Sequence, residues 1–165
     1  MKRKIIIAIL ISLALSAMPC TTVYAAKDTY IKESYVGYCE EIGAAYGISP
    51  ELLEAIIEHE SSGNTYAENY NGTCFGLCQI NQRMHQKRMD QLGVVYLSSP
   101  KGNITVAADI LTELMAKHKD LGLALMKYHG EPDAVRKYKE GKLSKYASGV
   151  MKRAAELKDI HDGKD

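Results

Sequence analysis

The feature that most narrows what this chain can fold into is the run PELLEAIIEHES at 50–61. Ser49 followed by Pro50 reads as a helix N-cap and first helical residue. Leu52, Leu53, Ile56 and Ile57 recur at helical spacing and form one apolar stripe, which must be covered by other elements. Glu60 lies four residues after Ile56 and three after Ile57, so the stripe ends in a carboxylate. Burial disfavours a charged carboxylate and raises its pKa, the condition a general acid needs near neutral pH. A salt-bridged or half-exposed Glu in a last helical turn would give the same pattern, because perturbed acids also arise in structural pairs.

The front of the 165-residue chain does not read as fold. Lys2, Arg3 and Lys4 form a basic start, and 5–18 is an apolar run interrupted only by Ser12 and Ser16, long enough for a signal segment and short for a membrane span. Val23 and Ala25 place small residues where a signal peptidase needs them, so 1–25 is expected to be a signal peptide and 26–165 one exported domain. A domain of that size buries about two-thirds of its surface. The net charge of +1 includes the three basic residues at the start; without them 18 basic residues face 20 acidic ones. No dense Lys/Arg patch is present, so nucleic acid has no electrostatic support as a partner. Contact with a membrane is expected only through the targeting segment.

Cys39, Cys74 and Cys78 remain after cleavage, and an exported protein can pair two of them, but spacing does not choose the pair. The spacing of Cys74 and Cys78 is not a standard zinc pattern, and HESSG carries Gly63 where a zinc-protease helix has its second His. No metal and no cofactor are expected.

The rest reads as helices. A first helix is expected over 30–46, stopped by Gly47. The stretch 61–75 is polar and rich in Asn and Gly, a loop with or without a small hairpin. Short helices are expected over 76–91, with Leu77, Ile80, Met84, Met89 and Leu92 inward, then a turn at 97–102. Asn103 is a candidate cap for the next helix, whose stripe runs Ile104, Ala107, Ala108, Leu111, Leu114, Met115 and His118. Further helices are expected over 120–128, 132–140 and 144–160. Sustained period-two alternation is absent after the leader, so the fold class is mainly α, a single compact helical domain with a polar loop beside Glu60.

At this point the motifs resemble a family. Ile56-Ile57-Glu58-His59-Glu60-Ser61, then Asn64, then Gly76-Leu77-Cys78-Gln79-Ile80-Asn81, is similar to the SLT-type lytic transglycosylases of the lysozyme-like superfamily. The similarity continues through Leu92-Gly93-Val94, Pro100, Asn103-Ile104, Leu125 to Gly130 and the 133–138 segment to Tyr146. It spans about 35–150, and the layout with a Cys in the first helix is most like the small specialised transglycosylases of secretion and conjugation systems. The resemblance implies a lysozyme-like fold, peptidoglycan glycan strands as substrate and a secretion or conjugation apparatus as partner. It makes Glu60 the catalytic acid and base. Gln79, Tyr128, Ser61, Asn69 and Tyr146 become substrate-binding or supporting residues. The first four have a structural alternative: loop satisfaction for Gln79, core packing for Tyr128, capping for Ser61, turn chemistry for Asn69.

The chain departs from the family pattern at Cys78, where Met is usual, and at His129, where Asn is usual. An acid just before Tyr146 is missing, and Cys39 lacks its usual partner near Lys101-Gly102, which leaves Cys74 or Cys78 to pair with it. A hydrolytic muramidase needs a second carboxylate about 5–9 Å from the first; Glu68 and Asp90 are the sequence candidates. A domain that binds wall glycan or a partner without cleaving is the non-enzymatic alternative.

Overall fold

The computed structural model describes residues 31–164. The expected signal segment and the start of the exported domain lie outside the described residues. Among the described residues seven helices and one small hairpin follow in order: α1 (Glu33–Tyr46), α2 (Pro50–Ser61), β1 (Cys74–Phe75), β2 (Ile80–Asn81), α3 (Gln82–Leu92), α4 (Pro100–His118), α5 (Leu121–Tyr128), α6 (Ala134–Lys139) and α7 (Lys145–His161). The fold is mainly α and lysozyme-like.

The helix ends follow local chemistry. Leu52 N–H donates to Ser49 Oγ at 3.3 Å, Leu123 N–H to Asp120 Oδ1 at 2.8 Å, and Ala147 N–H to Ser144 Oγ at 3.1 Å. Each bond satisfies one of the orphan donors of a first helical turn. Gly47, with φ 67°, closes α1 in the left-handed conformation and lets the chain turn within three residues into α2.

Helix α2 is the centre of the molecule rather than a surface helix with one apolar face. Leu53, Ala55, Ile56 and Ile57 are fully buried, and α1 and α7 pack against it. Each large aliphatic side chain taken out of water contributes about 1.5–3 kcal/mol. Around α2 the core continues through Cys39, Leu77, Ile104, Leu111, Leu125, Met126, Val150 and Leu157. Enclosure on all sides also buries Glu51 and Glu54.

Several expectations change. The first helix begins at Glu33, three residues later than expected. Residues 82–92 form one helix, capped by Asn81 through Met84 N–H at 3.0 Å. That cap puts Met84 in the first turn, facing the cleft and 76% exposed rather than inward. Asn103 does not cap α4. Ser99 and Pro100 start that helix, with Gly102 N–H donating to Ser99 Oγ at 3.3 Å. Asn103 is instead fully buried one turn in. Helix 132–140 shrinks to α6, entered through Asp133 in the left-handed region at φ 57°. Cys39, Cys74 and Cys78 are all free thiols, so the pairing of Cys39 with either of the others is not formed.

Candidate active site

The site is built where the C-terminal end of α2 meets the hairpin. The hairpin is antiparallel, with Cys74 opposite Asn81 and Phe75 opposite Ile80, and Gly76 to Gln79 form its turn. Asn103 holds this turn from below. Its Oδ1 accepts from Cys78 N–H at 2.8 Å, and its Nδ2 donates to Phe75 O at 2.9 Å and Leu97 O at 3.0 Å. One buried amide thus satisfies three backbone groups of two loops, which a buried turn requires. Gly76, at φ 76°, approaches Asn103 and Leu97 so closely that any Cβ would collide with both. From the other side the Tyr128 hydroxyl donates to Cys78 O at 2.9 Å.

Above the turn lies a cavity of about 580 Å³, lined by residues that include Glu60, Asn69, Cys74, Gln79, Met84, His85, Arg88, Glu113, Tyr128 and His129. The Glu60 side chain reaches it with only 13% of its surface exposed. Burial is the largest influence on this carboxyl and raises its pKa; Tyr146, His129 and His59 pull it part of the way back. The C-terminal end of α2 carries partial negative charge and acts in the same direction as burial. The Tyr146 hydroxyl is itself buried, meets no partner at hydrogen-bond geometry, and faces Glu60 closely enough for each to shift the other's pKa. The Tyr146 ring stacks on His129, with centroids 4.1 Å apart and planes 12° from parallel, and meets His59 edge-on at 6.1 Å. His129 Nδ1 stands 3.9 Å from Glu60 Oε1.

The residues singled out by sequence separate into two groups. Glu60, Gln79, Tyr128 and Asn69 share the cavity wall, and Tyr146 stands behind His129 against Glu60. Ser61 does not join them; its Oγ bonds back to Ile57 O at 3.2 Å within α2. Among those on the wall, three are already committed to structure. Gln79 holds a left-handed φ of 48° and its Nε2 donates to Ala67 O and Gly76 O, both at 3.1 Å. Asn69 Oδ1 accepts from the backbone N–H of Thr73 and of Cys74 at 2.8 and 3.0 Å, which is turn chemistry. Tyr128 orients the turn rather than Glu60.

Glu68 and Asp90, the sequence candidates for a second acid, are both exposed and neither lines the cavity. The second carboxylate on the wall is Glu113, which is ion-paired with Arg88; Arg88 Nε also contacts Asp109 at 3.1 Å. Sequence reasoning did not mark His85, Arg88 or Glu113. Their helices, α3 and α4, meet only in the folded molecule, and nothing in the local spacing signals it.

A helical, lysozyme-like domain with a buried acid at a helix end, facing a loop-walled cleft, is the class these elements define. A family profile described as the transglycosylase SLT domain matches residues 37–148. The chain belongs to that family. It is 33% identical over 120 residues to Protein IpgF of Shigella sonnei, covering 69% of this chain and 76% of that protein. Protein IpgF of Shigella flexneri matches at the same identity and coverage. A protein named Transglycosylase from Enterobacteria phage PRD1 is 34% identical over 94 residues. That match covers 55% of this chain and spans about a third (34%) of the phage protein's length.

Proposed function

We propose that this protein is a peptidoglycan lytic transglycosylase that cleaves the β-1,4 bond between N-acetylmuramic acid and N-acetylglucosamine. Family membership supports the substrate class, and the observation that carries the mechanism is the buried carboxyl of Glu60 at the cavity wall. Burial keeps the proton on Glu60 at higher pH than on an exposed Glu. Glu60 delivers that proton to the glycosidic oxygen as the C1–O bond breaks. The resulting carboxylate then takes the proton of the C6 hydroxyl, whose oxygen closes onto C1. The ends so formed are 1,6-anhydro-N-acetylmuramic acid, and Glu60 regains its proton without consuming water.

The cavity wall favours this route over hydrolysis. A hydrolase with two carboxylates needs a free second acid, and the second one on this wall, Glu113, is held by Arg88. Tyr128, Gln79 and Asn103 fix the turn that floors the cavity, which supports a rigid seat for the glycan. The basic, then apolar, start of the chain supports export, with action on the wall from outside the cytoplasm. The layout resembling specialised transglycosylases supports service to a secretion or conjugation apparatus.

Mass spectrometry of purified peptidoglycan digested with residues 26–165 and with the Glu60→Gln variant tests the reading. Anhydro-muropeptides made by the wild type and absent with the variant are expected. Reducing-end products would establish a hydrolase, and undiminished cleavage by the variant would remove Glu60 from the chemistry.

A further inference from the structure

His129 is placed as no packing residue needs to be. Its ring lies flat on Tyr146, its Nδ1 is 3.9 Å from Glu60 Oε1, and it lines the same cavity as Glu60 with 44% of its side chain exposed. We propose that His129 is a positioning residue that acts on the reaction through Glu60, its imidazolium stabilising the buried carboxylate left when Glu60 gives up its proton. The inference rests on Glu60 as the acid.

The chemistry asks for such a group. A carboxylate newly formed in a site only 13% exposed has lost most of its hydration. The groups facing it are few: His59 on its own helix, Cys78 in the hairpin turn, Tyr128 on α5, Tyr146 on α7 and His129 just beyond α5. Tyr128 is bonded to Cys78 O, and burial keeps the Cys78 thiol and both tyrosines protonated and neutral. Among these neighbours only the two histidines can become cationic. His59 meets Tyr146 edge-on and does not line the cavity, whereas His129 does. Lys127 is on the cavity wall from α5, and Arg88 on the far wall is matched by Asp109 and Glu113. Stacking against Tyr146 holds the imidazole plane, with Nδ1 on the side of Glu60.

The sign follows from the charge. A positive His129 favours the Glu60 carboxylate and makes Glu60 a readier proton donor. Without it Glu60 holds its proton to higher pH and donates more reluctantly. His129→Ala removes the ring, and His129→Phe keeps a ring to stack on Tyr146 while removing the charge. Initial rates on soluble, uncross-linked glycan strands are measured from pH 4 to 9 for wild type, both variants and Glu60→Gln. Both His129 variants are expected to lose about 10-fold in kcat, with the alkaline limb moved up by at least about half a pH unit. Full restoration by Phe, or variant profiles that match the wild type in shape and limb position, would reduce His129 to a packing role and overturn the inference. If Glu60→Gln abolishes cleavage while the His129 variants keep the wild-type limb, this inference alone fails. If Glu60→Gln remains active, both it and the Glu60 assignment fail.

Discussion

Two of the carboxyls on helix α2, Glu54 and Glu60, lie six residues apart, and their surroundings make them opposites. Glu54 lies in the closed seam between α2 and α7, fully buried, with neither oxygen hydrogen-bonded. Burial, then the neighbouring carboxylates Glu51 and Glu58, push its pKa up to about 8. Arg153 pulls it part of the way back, and His161 stands 3.9 Å from Glu54 through Nε2 and 3.3 Å from Glu51 through Nδ1. Arg153 is taken up by Glu58, with bonds of 2.6 and 3.2 Å. Glu60 is also raised by burial, but it opens on a cavity and is flanked by a hydroxyl and two imidazoles that pull the other way. Burial alone makes a carboxyl protonated. Access and a means of stabilising the conjugate base make it useful as an acid, and only Glu60 has both.

The sharpest way to break this contrast is to change each acid. Glu60→Gln is expected to lower cleavage by about 10³-fold or more while leaving the melting temperature nearly unchanged, the size of effect general acid–base catalysis supplies. Activity assay and thermal melting on one preparation check both halves. Asn103→Ala is next. It strips three backbone groups of their partner, so a loss of about 2–4 kcal/mol in stability is expected, with weakened activity as the hairpin turn loosens. Urea unfolding measures the first and initial rates the second.

Glu54→Met is expected to act in the reverse direction. A carboxyl whose folded pKa of about 8 exceeds its unfolded value of about 4.3 binds more protons folded than unfolded between those values. Its contribution is therefore full below about pH 4 and is lost as pH rises towards 8. Replacing it with an apolar side chain should gain about 1–3 kcal/mol at pH 8 and much less at pH 4. A gain of equal size at both pH values would show that Glu54 is not the titrating group. The smallest effect is expected for Tyr128→Phe, which loses one bond to Cys78 O: about 1 kcal/mol, with the product type unchanged.

What could be read from the sequence was what local chemistry decides. Ser49 and Pro50 start α2, Gly47 stops α1, and Glu60 continues an apolar stripe. The motifs around Glu60 and Gln79 were enough to place both on one cleft. What could not be read depends on elements far apart in the chain. Glu54 follows Glu51 by three residues and precedes Glu58 by four, which on one helix is indistinguishable from a solvated stripe. Only the arrival of α7, with Arg153 and His161, turns that stripe inward. Asn103 looked like a cap because Asn favours caps. Its actual partners, Phe75, Cys78 and Leu97, come together only when the hairpin and the loop before α4 close over it. His129 showed itself as a departure from a family pattern, and its meaning came from its distance to Glu60.

The most direct test of the account is the protonation of Glu60 itself. A carboxyl-carbon NMR titration of ¹³C-Glu-labelled protein, with Glu60 assigned by the Glu60→Gln variant, reads it without substrate. The account predicts a midpoint clearly above the ordinary Glu value of about 4.3. A midpoint at or below that value would mean Glu60 is a carboxylate at neutral pH in the free protein, and would contradict its role as the proton donor.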